Sequence, residues 1–421
     1  MSIFFHIDVN SAFLSWSALK ALEEDPGSVD LRTIPSAVGG DVKTRHGVIT
    51  AKSIPAKAYG VQTGEPVMRA LEKCPRLVLV RSDFATYRKY SRQFMDILRE
   101  YTDQVQQASI DEAYMDVTDL RPMWKEAFPL GLAEHLKNAV HTRLGFTVNV
   151  GISSGKFLAK MASDFQKPDR IHTLFPDEIA EKMWPLPVQQ LHGCGAATSR
   201  RLGEMGFRTI GDIAAADEKI LQGFLGEKLG TYLYTRANGI DDSRVRPEPR
   251  DVKSYSNETT TAQDVTAENY EQYGKPILHS LCEKVAGRLQ KDHVYGTTIS
   301  VIVKTGHFRR HTRQTTLPSS TSDASVISRT ADGLMQDLLF GEDGLFLQGE
   351  VLRLIGAGVA GLDDGSFHQM SLTEWAKNFE EEEAQREKER EKAGRLDEMM
   401  RRIRSRYGEN SVQKGTSGHS R

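Results

Sequence analysis

Cysteine is scarce in this sequence: Cys74, Cys194 and Cys282 are the three in 421 residues, far apart and forming no CxxC pair. Such a set excludes a disulfide framework and a cysteine-built structural zinc site, and it suits a reducing cytosol. Long apolar runs are missing as well. No stretch approaches the about eighteen apolar residues of a membrane span, so no membrane partner is expected. The opening MSIFFHIDVN lacks a basic region followed by a long apolar one, and it reads as a strand rather than a signal peptide. Charge of one sign is not in excess. The 55 Lys and Arg against 57 Asp and Glu leave a net charge of −2, so the average carries no nucleic-acid signal. There is no internal repeat.

The length allows roughly two to four domains. Charged residues at 27% and hydrophobic ones at 39% are ordinary for a soluble globular protein. Local charge departs from the average: KFLAKMASDFQKPDR (156–170) is basic, and the acidic excess gathers near the end in FEEEEAQ.

Periodicity sets out the elements. A strand over Ile3 to Val9 runs into the helix SAFLSWSALKALEE, which DPGS closes. A Gly- and Pro-punctuated region follows to about Pro75. Phe84, Tyr87, Tyr90, Phe94, Ile97 and Tyr101 recur at helical spacing, a stripe that predicts core packing. A hairpin over QQASIDEAYMDV, a helix near 129–144 and the strand FTVNVGISS complete a β-α-β-β-α-β order. Helices on one face of such an α+β layer would leave the other face open for a substrate. From Leu191, LHGCGAATSRRLGEMGFRTIGDIAAA predicts short helices around Gly-rich turns, and DDSRVRPEPRDVKSYS predicts an extended linker. A second α+β unit spans 254–363. Beyond it the run EEEEAQREKEREK predicts a solvated helix, and the last dozen residues predict disorder.

Asp111 and Glu112 stand side by side where the surrounding pattern is strand. Successive strand residues face opposite ways, and an unpaired buried carboxylate is costly, so the pair belongs at a hairpin bend where both can lean to one point. Two convergent carboxylates serve a hard divalent cation such as Mg²⁺, with substrate phosphates completing its shell. Asp8, ending the first strand, supplies a third. These three could hold two Mg²⁺ ions bridged by a nucleotide's phosphates. Lys57 in SIPAKAYGV and Lys167 in DFQKPDR are candidates to neutralise a triphosphate. GISSGK lacks the GxxxxGK[ST] spacing of a phosphate loop.

Taken in order, IDVNSAF, AVGG, AKAYGV, SIDEAYMDVT, GISSGKFLAKMASDFQKP, LHGCG with RRLGEMGFRTIGDIA, and KSYSNETT with ISVIVKTGHFRRHTRQTTLP and IGAGVAGL resemble the bacterial Y-family translesion DNA polymerases over roughly residues 1–375. The resemblance implies a right-hand architecture: palm at 1–20 and 78–168, fingers at 21–77, a helix-hairpin-helix thumb at 169–240, a linker at 241–253, a little finger at 254–363 and a tail at 364–421. It implies template-directed extension of a primer with dNTPs, without a proofreading exonuclease and hence at low fidelity, by a cytoplasmic monomer. It matches Asp8, Asp111, Glu112 and the Val9 carbonyl to the metal ligands, Phe13 to a steric gate under the incoming sugar, and Ala12 beside it to a nucleotide-binding position. Gly193 and Gly195 of the thumb, and Arg309, Arg310 and Arg313 along a little-finger strand, would meet primer-template phosphates. QMSLTEW resembles the peptide that docks bacterial polymerases on the sliding clamp (beta), with Gln369, Met370 and Leu372 matching; Thr373 stands where an aromatic is usual, and Trp375 follows.

Three positions depart from the commoner polymerase IV pattern. Asn10 replaces a frequent aspartate, Ile54 lacks a tyrosine hydroxyl, and Lys57 stands for an arginine whose bidentate fork it cannot reproduce. These features look nearer to the catalytic subunit of polymerase V. A nucleotidyl cyclase shares the ferredoxin-like palm and its carboxylates, but needs neither thumb nor little finger. A silent DNA-binding subunit would not need all three acids.

Overall fold

FFHIDV is apolar enough to be covered on both sides, and in the computed structural model it is the buried middle strand of a five-stranded sheet. Residues 1–40, 47–248 and 251–365 are described, with single positions between 392 and 408. The chain divides into two compact units, Met1–Asp251 and Val252–Arg421. No helix among the described residues is long and apolar enough to cross a membrane.

The strands of the first unit are β1 (Phe4–Val9), β2 (Ser36–Gly39), β3 (Ile49–Lys52), β4 (Val78–Val80), β5 (Val105–Gln107), β6 (Glu112–Asp116), β7 (Val148–Ser153) and β8 (Ile171–Thr173). The large sheet has the order β5-β6-β1-β7-β8. Strand β1 runs antiparallel to both neighbours, which sets Asp8 opposite Glu112 on one side and Asn149 on the other. Strand β8 pairs in parallel with β7. The sheet therefore continues to Thr173.

One face of the sheet carries Phe5, Ile7 and Val9, which pack with Trp16, Tyr87, Phe94 and Leu136. Those partners come from the helices Ala12–Glu24, Phe84–Arg99 and Leu130–Leu144. The aromatic stripe is core as expected, except at its first member: Phe84 is 56% exposed. The second face is not left open. The helix Lys156–Ser163 lies against β1 and β7, and all eight of its residues are buried. Close approach requires glycine at 151, where a methyl group would collide with the Ala159 carbonyl and the Ser163 amide. The helix's outer side carries Phe157, Leu158 and Met161 into a second core with Met183, Leu202, Ile213 and Leu233. Being sandwiched explains why every residue of this helix is buried.

The linker is extended as expected, but its first half is strapped to the same face. Asp241 Oδ2 accepts from the Phe157 amide (2.8 Å), the Arg244 carbonyl from Lys156 Nζ (3.0 Å), and Gln106 Oε1 from the Arg246 amide (3.0 Å). Val245 is buried with Phe4 and Ala159. The open part of the sheet is thus its end, where β1 stops at Asp8 and Val9. There the three-stranded sheet β3-β2-β4 of the fingers region stands, with its own core of Ala37, Ile49, Val67 and Ala70.

In the second unit β9 (Ser254–Val265), β10 (Tyr295–Thr305), β11 (Arg310–Thr321) and β12 (Leu352–Asp363) form an antiparallel sheet in the order β11-β10-β12-β9. Helices Lys275–Lys291 and Ala324–Phe340 supply Leu278, Val285, Ile327 and Met335 to a core with Val301, Val303, Ile355 and Val359. The α+β class expected from the sequence is what forms. Gln369, Met370 and Leu372, the acidic run and the last dozen residues lie outside the described residues.

Candidate active site

Asp8 and Glu112 face each other across the β1–β6 ladder, and a buried ammonium joins them. Lys160 Nζ lies 2.8 Å from Glu112 Oε1, 3.4 Å from Asp8 Oδ2 and 3.3 Å from Asp164 Oδ2. Lys167 Nζ approaches from the other side, 2.9 Å from both Asp8 Oδ1 and Asp164 Oδ1. Burial, then a hydrogen bond shared with Glu112, pushes the Asp8 carboxyl up to about 7, against the pull of both lysines. For Glu112 burial also works upward, but its contacts with His6 and Asp8 and the hydrogen bond from Lys160 outweigh it and hold that carboxyl well below its usual range. Burial holds the His6 imidazole, 3.6 Å from Glu112, below its ordinary value, so it stays neutral. This is a site short of positive charge.

Asp111 is the last residue of the turn between β5 and β6, so the expected hairpin bend is present. Its carboxylate accepts from Ser109 Oγ (2.6 Å), and its carbonyl accepts from the Val9 amide (3.0 Å). Among the described residues no three acidic, imidazole or thiol groups stand together as a metal cluster. The three convergent carboxylates expected from the sequence are here a pair with Asp111 alongside, because the turn aims Asp111 at Ser109. The donors still fit a hard divalent ion. All are oxygens, two carboxylates suffice when phosphates complete the shell, and the buried acid pair already draws two ammonium groups.

A cavity of about 470 Å³ opens at this end of the sheet. Asp8, Val9, Ala12, Phe13, Asp111 and Lys167 line one wall; Thr50, Lys52, Ile54, Lys57 and Thr63 of the fingers region line the other. That volume suits a small-molecule ligand. Phe13 is half-buried, its ring stacked on Tyr87 with centroids 4.6 Å apart and planes 14° apart. Ser17 Oγ and the Tyr87 hydroxyl, 3.0 Å apart, hold that support in place. Ala12 is buried, and Lys57 is exposed at the end of the helix Ile54–Ala58.

Two lysines escaped the sequence reading. Lys160 could have been found as the cation spaced four before Asp164 in an otherwise apolar helix. Lys52 ends β3 and donates to Thr63 Oγ1 (3.2 Å). Neither Lys52 nor Lys57 forms an ion pair among the described residues; the nearby Glu65 is taken by Lys73 (2.5 Å). Burial, then the charge of Lys57, holds the Lys52 ammonium below its ordinary value. The cavity thus presents uncompensated positive charge on its fingers wall.

None of the remaining candidates lines this cavity. Gly193, at φ +94°, is fixed by the Tyr232 ring, which an added methyl would meet at 2.6 Å. Gly195 caps the helix Ala196–Glu204, with open space beside it. In the second unit Arg309 occupies the β10–β11 turn, and Arg310 pairs with Glu258 (3.1 Å). The expected row of three arginines does not form. Arg310 and Arg313 are three residues apart on β11, so the pleat sends them to opposite faces.

Comparison with known proteins decides the family. Residues 7–164 match the impB/mucB/samB family, residues 252–372 its C-terminal domain, and residues 189–241 the thumb domain of DNA polymerase iota. Relatives agree over nearly the whole length. The chain is 40% identical to DNA polymerase IV of Clostridium acetobutylicum, covering 98% of this chain and 97% of that one. The chain belongs to the impB/mucB/samB family of Y-family DNA polymerases. DNA polymerase IV 1 of Bacillus subtilis is 34% identical, over 99% of this chain and 93% of its own. Among solved structures, the Y-family DNA polymerase chimera Dbh-Dpo4(243-245)-Dbh superposes with a TM-score of 0.72 at 22% identity, covering 85% of this chain and 98% of that one, a likeness of fold. The relatives named here are polymerase IV enzymes, although Asn10, Ile54 and Lys57 look nearer to the polymerase V subunit.

Proposed function

We propose that the cavity at the end of β1 takes the incoming deoxynucleoside triphosphate. The protein is a DNA-directed DNA polymerase of the translesion class, requiring a divalent metal. The observation that carries the assignment of the site is the meeting of Asp8, which is paired with Glu112 through Lys160, with an aromatic floor and lysines free of ion pairs on the fingers wall around one cavity. Asp8, Asp111, Glu112 and the Val9 carbonyl would hold two Mg²⁺. Bound there, the ions supply Lewis-acid charge to the primer 3′-hydroxyl and the triphosphate. Lys52, Lys57 and Lys167 bind the phosphates. Lys160 keeps the buried carboxylates together. Phe13 lies under the sugar and excludes a 2′-hydroxyl, its ring held by Tyr87. Gly193, Gly195, Arg309, Arg310 and Arg313 meet DNA phosphates, and the enzyme acts as a monomer.

Primer extension with Mg²⁺ and dNTPs tests this reading. Asp8→Ala, Asp111→Ala and Glu112→Ala should each abolish extension and leave primer-template binding within about twofold, since most phosphate contacts lie elsewhere. Near-normal extension by Asp111→Ala would remove that residue from the site. Cyclic nucleotide formation without extension would favour the cyclase.

The sequence QMSLTEW supports docking on a sliding clamp. An extended peptide can seat two apolar anchors in a groove and raise the enzyme's effective concentration at the primer end. Replacing Gln369 and Leu372 by Ala should spare unassisted extension and remove stimulation by loaded clamp. Wild-type stimulation of that variant would exclude the peptide.

A further inference from the structure

The turn between β10 and β11 exposes a phenylalanine where the backbone favours glycine. Phe308 has φ +64° and is 64% exposed. Its amide donates to the Thr305 carbonyl (2.9 Å), and the Thr305 amide donates to the Arg309 carbonyl (2.9 Å). A hairpin turn closed this way puts its last residue in the left-handed region, where glycine or asparagine sits without strain and a bulky side chain does not. The fold gains little from the ring, which is neither buried nor set on a relaxed backbone. An outlier of this kind points to use of the side chain.

Its surroundings say what the ring meets. Residues 304–313, KTGHFRRHTR, hold Lys304, Arg309, Arg310 and Arg313 with two histidines and no acid. The Arg353 guanidinium lies over the ring, 5.0 Å from its centroid. Among the described residues two carboxylates approach the segment, Glu350 at His307 Nδ1 (3.1 Å) and Glu258 at Arg310 (3.1 Å). Arg309 and Arg313 are exposed. An aromatic set among arginines is the chemistry of single-stranded nucleic acid, with bases stacking on the ring and phosphates meeting the guanidinium groups. A protein groove would be served by the ring but not by the cationic ring of neighbours.

We propose that Phe308 stacks on an unpaired base of the template strand, with Arg309 and Arg353 on the adjoining phosphates. The contact rests on the reading of this chain as a primer-template polymerase and adds a sequence-independent hold on the single-stranded part. It is separate from the phosphate contacts of Arg310 and Arg313, because it needs a base free of its stack.

Substitution tests it without harming the fold. F308G and F308N suit the backbone and remove the ring, so their melting temperatures should equal or exceed the parent's. Binding of the full chain is measured by anisotropy to a primer-template with a 5′ template overhang and to a blunt duplex of equal length. F308G should bind the overhang substrate about tenfold more weakly and the blunt duplex equally well. F308W should restore overhang binding, and its added emission should be quenched by the overhang alone. Unchanged overhang binding by F308G overturns the proposal. So does an equal loss on both substrates, or a fall in melting temperature showing that the ring is a packing element. Loss of clamp stimulation with intact DNA affinity would assign the tip to a protein partner instead. A parent that binds neither DNA would refute the polymerase reading itself, a result distinct from these.

Discussion

Asn10 and Asn149 meet across the β1–β7 ladder, Nδ2 of the first donating to Oδ1 of the second at 3.1 Å. Both are buried, and both continue outward. Asn10 Oδ1 accepts from Thr147 Oγ1 (2.9 Å) and the Asp169 amide (2.9 Å). Asn149 Nδ2 donates to the carbonyls of Ser163 (3.1 Å) and Gln166 (2.8 Å), and its Oδ1 also accepts from the Arg170 amide (3.2 Å). The two amides thereby grip the chain on either side of Lys167. An aspartate at this position would accept but could not donate to Asn149.

Asn10→Asp should therefore be harmful in this chain. It sets two acceptors face to face in a buried place, at a cost of about 1–3 kcal/mol. Thermal unfolding should show the loss, and the dNTP KM should rise several-fold as Lys167 loses its support. An unchanged melting temperature and KM would mean the loop is held by other means.

Phe13→Ala should admit ribonucleotides. The ring fills one wall of the cavity, and its removal leaves Asp8, Lys52 and Lys167 untouched. Single-nucleotide insertion with dNTP and rNTP should show the deoxy-to-ribo preference falling by about tenfold or more, with a modest loss on dNTP. An unchanged preference would take Phe13 out of the role.

Lys52 should act on KM rather than on the maximal rate. An unpaired ammonium facing a polyanion contributes about 1 kcal/mol or more at partly screened distances, so Lys52→Ala should raise the dNTP KM by about fivefold. Its pKa lies below the ordinary lysine value, from burial first and Lys57 second. The charge, and with it the affinity, should therefore be lost at a lower alkaline pH than an ordinary lysine would allow. Lys52→Arg stays charged and should flatten that rise in KM. Parallel pH profiles for parent and Lys52→Arg would exclude a phosphate contact.

Asp241 ties the linker to the palm and to Arg236 (2.7 Å). Burial raises its carboxyl, but the Phe157 amide, Arg236 and Ser243 outweigh this and leave it below its ordinary value. A depressed carboxyl stabilises the fold above its unfolded pKa, and that contribution fades as pH falls through the folded one. Asp241→Asn should cost about 2 kcal/mol at pH 7, and the gap to the parent should close in acid. A constant gap from neutral to acid pH would show that the charge is immaterial.

The carboxylates were legible because local pattern alone makes them odd: adjacent acids in a strand demand a bend, and Asp8 ends an apolar run. The helix Phe84–Arg99 was legible from its aromatic spacing. The division of Arg310 from Arg313 was also there to be read, since a strand's period of two separates residues three apart. Lys160 was legible in part, as a cation four before Asp164 in a largely apolar helix; Lys52 was not, because nothing local distinguishes a lysine that will line a cavity from one that stays in water.

By itself the sequence determined the element order, the α+β class, the acidic hairpin and the family, all carried by short-range periodicity and ordered motifs. Only the tertiary structure decided that the sheet's second face is covered, that Asp111 turns to Ser109 while Asp8 and Glu112 share Lys160, and that two asparagines anchor Lys167. Those outcomes join residues up to 159 positions apart, as the Asn10–Asp169 contact does. They depend on which surfaces bury each other, and on a glycine at 151 that lets a helix come close. No local pattern encodes such pairings.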